Sequence, residues 1–122
     1  MNIEKLQEYW NIKNKLSETA VKHNLTDYQL DIMLYLGEKQ TLPDTGRVSS
    51  YFNRKPSVTS QVLKALRTDK GLIEKSFNPK DERKKSLELT SKGKELYDLL
   101  LGDLNEYWKN YQNMYYIFIR IS

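Results

Sequence analysis

Residues 57–90 read SVTSQVLKALRTDKGLIEKSFNPKDERKKSLELT, and this stretch decides the fold of the chain. Its first part has the apolar spacing of an amphipathic helix, which ends at Lys70-Gly71 because glycine readily takes the left-handed position that closes a helix. Two segments with strand-like alternation follow, Leu72–Phe77 and Ser86–Leu89, and the residues between them, Asn78–Asp81, favour a turn. A helix followed at once by a short hairpin predicts a mainly α fold with a small β-hairpin, the winged helix-turn-helix.

The helix that opens this stretch has two unlike sides. Short hydroxyl side chains on its polar side would let the backbone approach a DNA groove, Gln61 can pair with an adenine edge, and Lys64 or Arg67 can reach guanine or phosphate. Polar side chains would also be expected on the wet side of any surface helix, so this pattern alone leaves both interpretations open. The predicted inward side consists of Val58, Val62, Ala65 and Leu66 with Leu63 at its border, and the candidate base-reading residues are Ser57, Thr59, Ser60, Gln61, Lys64 and Arg67.

Basic residues precede this helix in the turn and follow it in the hairpin. An arginine at the tip of a hairpin suits the narrow minor groove, where the negative potential is concentrated, and Arg83 is the predicted tip. Asp81 could pair with that arginine and fix its direction, although an exposed ion pair adds little stability. An ordinary charged hairpin is the alternative. The candidate DNA contacts of the turn and wing are Arg54, Lys55, Lys80, Arg83, Lys84 and Lys85.

Helices are predicted on both sides of the deciding stretch. The first covers residues 3–23, and the second runs from Thr26, a capping residue, to about Leu36, where Gly37 stops it. A short helix restarts after Pro43 and forms the first half of the helix-turn-helix. Thr90 caps a long final helix. The predicted inward face of the short helix consists of Val48, Tyr51 and Phe52.

The composition excludes several kinds of function. The chain of 122 residues and 39% hydrophobic content fits one domain, and the absence of cysteine with a single histidine, His23, makes a zinc site improbable. Because His23 is accompanied by no Cys/His pair, carboxylate cluster or Gly-rich phosphate loop, we expect neither an enzyme nor a bound cofactor. The first residues lack an apolar signal core and the apolar tail is too short to cross a bilayer, so we expect a cytoplasmic protein without a membrane partner.

Charge is distributed unevenly along the chain. Residues 47–94 contain 13 Lys and Arg against 5 Asp and Glu, whereas the remaining residues contain 7 basic and 11 acidic side chains. A chance skew on a solvated surface is the alternative explanation. Because the basic surplus coincides with the predicted winged segment, it favours a surface that meets phosphates.

Five short motifs occur in order along the chain: LTxxQ at residues 25–29, SVT at 57–59, KGLIEK at 70–75, DER at 81–83 and LTSKG at 89–93. Together they resemble the MarR family of winged-helix transcription regulators, and the short chain, long first helix and NxxDER wing are most similar to its SarA-like branch. The resemblance implies a homodimer joined through the terminal helices, with each recognition helix in the major groove. It also implies that Arg83 enters the minor groove and that Asp81 braces it. Many members respond to small aromatic ligands, so the resemblance allows for a small-molecule effector.

Aromatic residues cluster near both ends of the sequence. Exposed aromatic surface in that density would be unfavourable on terminal helices, so it favours burial in a dimer. Packing within one subunit is the alternative.

Together these patterns predict one domain, 1–122, in which 25–90 form the DNA-binding winged helix and 1–24 with 91–122 form the dimerisation region. The candidate interface residues are Leu6, Tyr9, Trp10, Leu104, Tyr107, Trp108 and Tyr111.

Two functions of different classes fit these patterns. The first is a sequence-specific transcriptional regulator that binds double-stranded DNA as a homodimer on a near-palindromic site. The second is a winged helix used as a protein-interaction module, such as an adaptor or antagonist of another regulator, without specific DNA binding. The second leaves the basic surplus of residues 47–94 without a use, so the sequence favours the first.

Overall fold

A computed structural model describes residues 2–38, 42–78 and 81–109, and shows five helices and one hairpin within those ranges. The chain divides into two compact units, a terminal unit made of residues up to Asp27 and from Asp98 onward, and a central unit, Tyr28–Tyr97. The two strands pair antiparallel. In chain order the elements are α1 Ile3–Lys22, α2 Asp27–Glu38, α3 Thr45–Tyr51, α4 Pro56–Lys64 continued by a π-helical turn Ala65–Asp69, β1 Ile73–Asn78, β2 Asp81–Leu89 and α5 Ser91–Lys109.

The terminal unit is built on α1 and the second half of α5. Asn2 caps α1, since its side-chain oxygen accepts a hydrogen bond from the Glu4 N–H at 2.9 Å. Leu100 and Leu104 of α5 are completely buried, and Ile12 of α1 is 3% exposed. These apolar side chains supply the core of this unit, because their burial removes apolar surface from water.

An ion-pair cluster joins the end of α1 to α5 in the terminal unit. The two carboxylate oxygens of Asp103 lie 2.9 Å from Lys22 Nζ and 2.7 Å from His23 Nε2. Hydrogen bonds from His23 and then from Lys22 hold the pKa of Asp103 below its ordinary value, because both partners favour the ionised carboxylate.

The central unit has its core between α2, α4 and the hairpin. Leu30, Ile32 and Met33 of α2 are at most 1% exposed, as are Leu66 and Leu87. The predicted end of α2 at Gly37 is wrong, because the helix continues to Glu38. A Cβ on Gly37 would collide with the ring of Tyr97, whose hydroxyl donates to the Glu38 carboxylate. Glycine at this position therefore allows close packing inside a helix and does not end it.

The junction between α4 and β1 confirms two of the predicted backbone features. The π-helical turn closes with the Lys70 N–H bonded to the Ala65 carbonyl at 3.2 Å, and Gly71 has φ +65°. Thr90 caps α5 by accepting from the Gly93 N–H at 3.0 Å, and its hydroxyl donates to the Gly71 carbonyl at 2.7 Å. One threonine thus caps the last helix and fixes the glycine that ends the earlier one.

The hairpin is longer than the sequence predicted. Its register pairs Ile73 with Leu89 and Phe77 with Lys85, then shifts to Asn78 opposite Asp81, so residues 82–84 form a bulge in β2. Residues 82–85 lay outside the predicted strands, but β2 already begins at Asp81, and Lys85 pairs with Phe77 despite the weak strand propensity of the charged run. The Leu87 N–H also bonds the Pro43 carbonyl at 2.8 Å, which ties β2 to the segment before α3.

Candidate nucleic-acid interface

The turn between α3 and α4 is held by two hydrogen bonds between the same pair of residues. The Arg54 N–H bonds the Ser49 carbonyl at 3.0 Å, and the Ser49 hydroxyl donates to the Arg54 carbonyl at 2.6 Å. Asn53 takes the left-handed conformation at φ 52°, which asparagine tolerates better than most residues. Pro56 then occupies the first turn of α4, where its missing N–H is not needed.

Tyr28 of α2 connects this turn to the start of α4. The tyrosine is 7% exposed, and its hydroxyl lies 2.8 Å from the Thr59 hydroxyl. Its ring packs edge-on against Phe52 with centroids 5.5 Å apart, and the Arg54 guanidinium lies 4.8 Å from the ring centroid. The start of α4 is therefore positioned by a buried hydrogen bond and by stacking, contacts that the sequence analysis did not identify.

The prediction that Thr59 reads bases is wrong. Its side chain is completely buried and hydrogen-bonded to Tyr28. The inward stripe of α4 and the following turn consists of Thr59, Leu63 and Leu66, at i, i+4 and i+7, because the tyrosine hydroxyl satisfies the threonine inside the protein. Val58, expected to point inward, is 40% exposed. The helix is thus rotated by about one residue from the orientation that hydrophobicity alone predicted.

The other polar residues of α4 form one outward face. Ser57, Ser60, Gln61 and Lys64 are exposed, and Arg67 in the π-helical turn is half-buried. Arg54 and Lys55 in the preceding turn are exposed as well. The structure therefore leaves every remaining base-reading candidate accessible and joins these residues to the basic turn along one continuous segment.

A cationic cluster lies between the π-helical turn after α4 and the hairpin. Burial lowers the pKa of Lys75 on β1, and the neighbouring charges of Arg67 and Lys85 lower it further. Three cations that repel one another form a surface that an anion would stabilise. Lys75 was not among the residues predicted from the sequence, although continued strand alternation from Ile73 would have placed it on the same face as Lys85 and its pairing partner Phe77.

Part of the wing falls outside the described structure. Lys80 lies outside the described residues, as do the side chains of Asp81, Arg83 and Lys84. The backbone nevertheless corrects one prediction, because Arg83 lies within β2, in its bulge, and not at the tip of the turn. The pairing of Asn78 with Asp81 agrees with the turn predicted at residues 78–81, so Arg83 follows the turn inside β2.

The candidate interface residues of the terminal unit fall into two groups. Tyr9 and Trp10 are 41% and 46% exposed, and Leu6 and Tyr107 are half-buried. Leu104 was wrongly assigned to a dimer surface, because it is completely buried within one chain, as a core position on the inner side of α5. The side chain of Trp108 and all of Tyr111 lie outside the described part of the chain.

An apolar stripe runs along the outside of α1. Ile3 and Val21 are 75% and 78% exposed, and at about 100° per residue they lie within about 20° of Trp10 on the helix. Buried Ile12 lies on the opposite side. The described residues of the chain therefore leave these three apolar side chains exposed on a second side of the helix, where the polar Asn14 and Ser17 lie between Trp10 and Val21.

Two further kinds of site are absent from the described ranges. No group of three or more His, Asp or Glu side chains there is placed to hold a metal ion. No helix of those ranges is both long and apolar enough to cross a membrane.

An open cleft beside α3 is lined by Tyr35, Arg47 and Tyr51, with the two tyrosine ring centroids 4.4 Å apart. Burial, and then the neighbouring Tyr51, raise the pKa of Tyr35.

Comparison with known proteins identifies the fold. No protein-family model matches the chain, and neither does any curated protein sequence. Solved structures do match. A variant of MepR from S. aureus bound to an oligodeoxyribonucleotide has a TM-score of 0.73 and 20% identity, covering 93% of this chain and 83% of its own. YusO from Bacillus subtilis has a TM-score of 0.69 and 23% identity, covering 89% of this chain and 76% of its own.

A third match has a different kind of ligand. CouR from Rhodococcus jostii RHA1, bound to p-coumaroyl-CoA, has a TM-score of 0.71 and 18% identity, covering 82% of this chain and 69% of its own. These likenesses, with the observed order of helices and hairpin, show that the chain has the winged helix-turn-helix fold of the MarR-type regulators. The predicted fold class is confirmed.

Proposed function

We propose that the chain is a MarR-family transcriptional regulator that binds a specific DNA sequence as a homodimer. The observation that carries the proposal is the outward face of α4, where Ser57, Ser60, Gln61 and Lys64 are all exposed on a helix fixed at its start by buried contacts. A rigid helix with short hydroxyls and long polar side chains fits the major groove. The matching MepR structure, which is bound to an oligodeoxyribonucleotide, supports the same use of the fold.

Roles follow from the chemistry of each side chain. Gln61 would pair with an adenine edge, Lys64 and Arg67 would reach guanine or phosphate, and Ser57 and Ser60 would contact base edges or backbone. Arg54 and Lys55 in the turn would neutralise phosphates. In the wing, Arg83 would enter the minor groove braced by Asp81, with Lys75 joining the phosphate contacts proposed for Lys80, Lys84 and Lys85.

The dimer is proposed through the terminal unit. The core that the described residues form leaves the apolar stripe of Ile3, Trp10 and Val21 exposed, and a second copy is the simplest partner for it. Two copies related by a twofold axis would place two recognition helices on a near-palindromic site, with half-sites one helical turn, roughly 34 Å, apart.

Selection of bound sequences from a random duplex pool tests this function directly. We expect an enriched near-palindrome with defined half-site spacing. Affinity for the selected site should fall steeply with salt, roughly a thousandfold between about 50 and about 200 mM, because phosphate neutralisation releases counterions. Gln61→Ala should alter base preference, whereas Lys55→Ala should weaken binding to all sequences alike. Recovery of unenriched sequences at moderate salt would refute specific recognition.

The protein-interaction module remains the second candidate, and the exposed stripe on α1 is the observation that favours it. Such a module would capture another regulator through Trp10 and its neighbours and would need no specific DNA. Pull-down from an extract with and without nuclease separates the two functions. A partner retained after nuclease treatment, together with no sequence enrichment, would favour the module.

A cytoplasmic location and a small-molecule effector complete the proposal. The CouR match is bound to p-coumaroyl-CoA, and the open cleft at Tyr35, Arg47 and Tyr51 offers this chain an aromatic wall and a cation within the central unit. Release of the selected duplex by an aromatic carboxylate, and loss of that effect in Arg47→Ala, would support an effector at this cleft.

A further inference from the structure

The first turn of α4 leaves part of an apolar side chain exposed. Val58 is 40% exposed, whereas the inward stripe consists of Thr59, Leu63 and Leu66. A β-branched residue forms helix less readily than alanine, and the exposed part of its side chain adds nothing to the hydrophobic core. Helix propensity does not account for a valine at this position, and packing accounts only for the buried part of its side chain.

Val58 borders the polar residues of the outward face. At about 100° per residue it lies about 60° from Gln61 around the helix, and both Gln61 and Ser57 are exposed. Hydroxyl and amide groups recognise donors and acceptors of base edges, but the 5-methyl group of thymine is the apolar feature of the major groove. An aliphatic side chain beside a glutamine suits an A·T-containing step, with the amide on an adenine and the valine methyls against a thymine.

We propose that Val58 determines specificity by contacting the 5-methyl group of a thymine in each half-site. The inference rests on the proposed function and adds to it a residue and the base feature that the residue reads. Thr59, the neighbouring methyl-bearing side chain, is enclosed by the protein and bonded to Tyr28. The apolar contribution of this turn to base reading therefore comes from Val58.

Uracil substitution tests this contact with the whole chain and the duplex selected above. Each thymine of a half-site is replaced in turn by uracil, which lacks the methyl group and pairs in the same way. At the contacted thymine, wild-type affinity should fall about fourfold, the effect of one lost methyl contact. Val58→Ala should bind the thymine duplex more weakly by a similar factor and should not distinguish thymine from uracil there. Val58→Thr, which keeps one methyl, should retain part of the discrimination.

Leu42→Ala provides the matched control. Leu42 is 45% exposed and lies outside α4, the preceding turn and the hairpin, so this variant should discriminate as wild type does. Thermal unfolding of each variant verifies the fold. Equal wild-type affinity for thymine and uracil at every position, undiminished discrimination in Val58→Ala, or a selected half-site without thymine would overturn this inference alone. Absence of any sequence preference would overturn the proposed function with it.

Discussion

At the scale of single residues, two glycines of α5 stand in opposite surroundings. A Cβ on Gly93 would collide with the Leu72 carbonyl oxygen and approach Leu89 Cβ at 3.3 Å, whereas a Cβ on Gly102 would meet nothing within 4 Å. The first glycine allows the start of α5 to pack against the backbone beside the hairpin. The second interrupts a helix without a packing benefit in the described chain.

The two glycine substitutions should therefore change stability in opposite directions. Gly93→Ala is expected to destabilise the protein by about 2 kcal/mol, because the added methyl meets backbone that cannot rotate away. Gly102→Ala should stabilise it by about 0.5–1 kcal/mol through helix propensity. Urea unfolding midpoints measure the change in stability for both variants. Because both substitutions lie in α5, each serves as the control for the other. Equal effects of the two substitutions would contradict the packing assigned to Gly93.

Tyr28 and Thr59 show how single side chains place α4. Their hydroxyls are 2.8 Å apart in a buried site, so removing one leaves the other without this partner. Tyr28→Phe and Thr59→Val should each destabilise the protein by about 1–2 kcal/mol. The destabilisation of the double variant should be smaller than the sum of the two single destabilisations by about 1 kcal/mol, since the interaction can be lost only once. Additive free energies of unfolding in this cycle would show that the hydroxyls do not interact.

At the scale of elements, α1 and α5 are tied by the cluster around Asp103. The folded-state pKa of Asp103 is depressed by His23 and Lys22. The stability that the ionised carboxylate contributes is therefore fully present above the unfolded pKa, about 3.9. It is lost as pH falls through the folded pKa. Asp103→Asn should therefore cost about 1 kcal/mol near neutrality and progressively less below about pH 4.

Urea unfolding at neutral and acid pH measures this loss. Asp98→Asn, on the same helix, removes an exposed carboxylate that belongs to no part of the cluster and corrects for the change in net charge. The difference in free energy of unfolding between wild type and variant should shrink on acidification for Asp103→Asn and not for Asp98→Asn. A difference for Asp103 that stays constant down to pH 3 would contradict the ion-pair account.

The elements themselves could be predicted from sequence because their signals are local. Helical spacing, the left-handed Gly71 and the Thr90 cap each depend on a few neighbouring residues, and the structure confirms them. The errors arose where a distant partner decides the outcome. Gly37 faces Tyr97, sixty residues along the chain, and Thr59 turns inward because Tyr28 offers a hydroxyl. Hydrophobicity alone assigned a threonine to water and a valine to the core, and both assignments were wrong.

At the scale of the whole molecule, the basic surplus and the exposed apolar stripe of α1 lie in different parts of the sequence. Residues 47–94 carry the basic surplus, whereas the exposed apolar stripe lies on α1 of the terminal unit. A protein that binds DNA through one unit and itself through the other needs this division, because phosphate contact and dimer burial favour opposite kinds of side chain. Specific recognition of two half-sites would then depend on residues far in sequence from the recognition helix.

Trp10 is the residue at which this dependence should be strongest. Tryptophans at the centre of interfaces commonly contribute at least about 2 kcal/mol, so Trp10→Ala should weaken dimerisation by about thirtyfold or more. The variant should sediment with a larger monomer fraction and lose affinity for a two-half-site duplex while binding a single half-site as wild type does. Lys5→Ala, an exposed substitution on the same helix but off the stripe, should change neither property. Two results would exclude this surface as the dimer interface: wild-type protein that sediments as a monomer at micromolar concentration, or a Trp10→Ala variant that dimerises as wild type does. If two copies of the chain share this side of α1, losing its largest aromatic residue must measurably weaken their association.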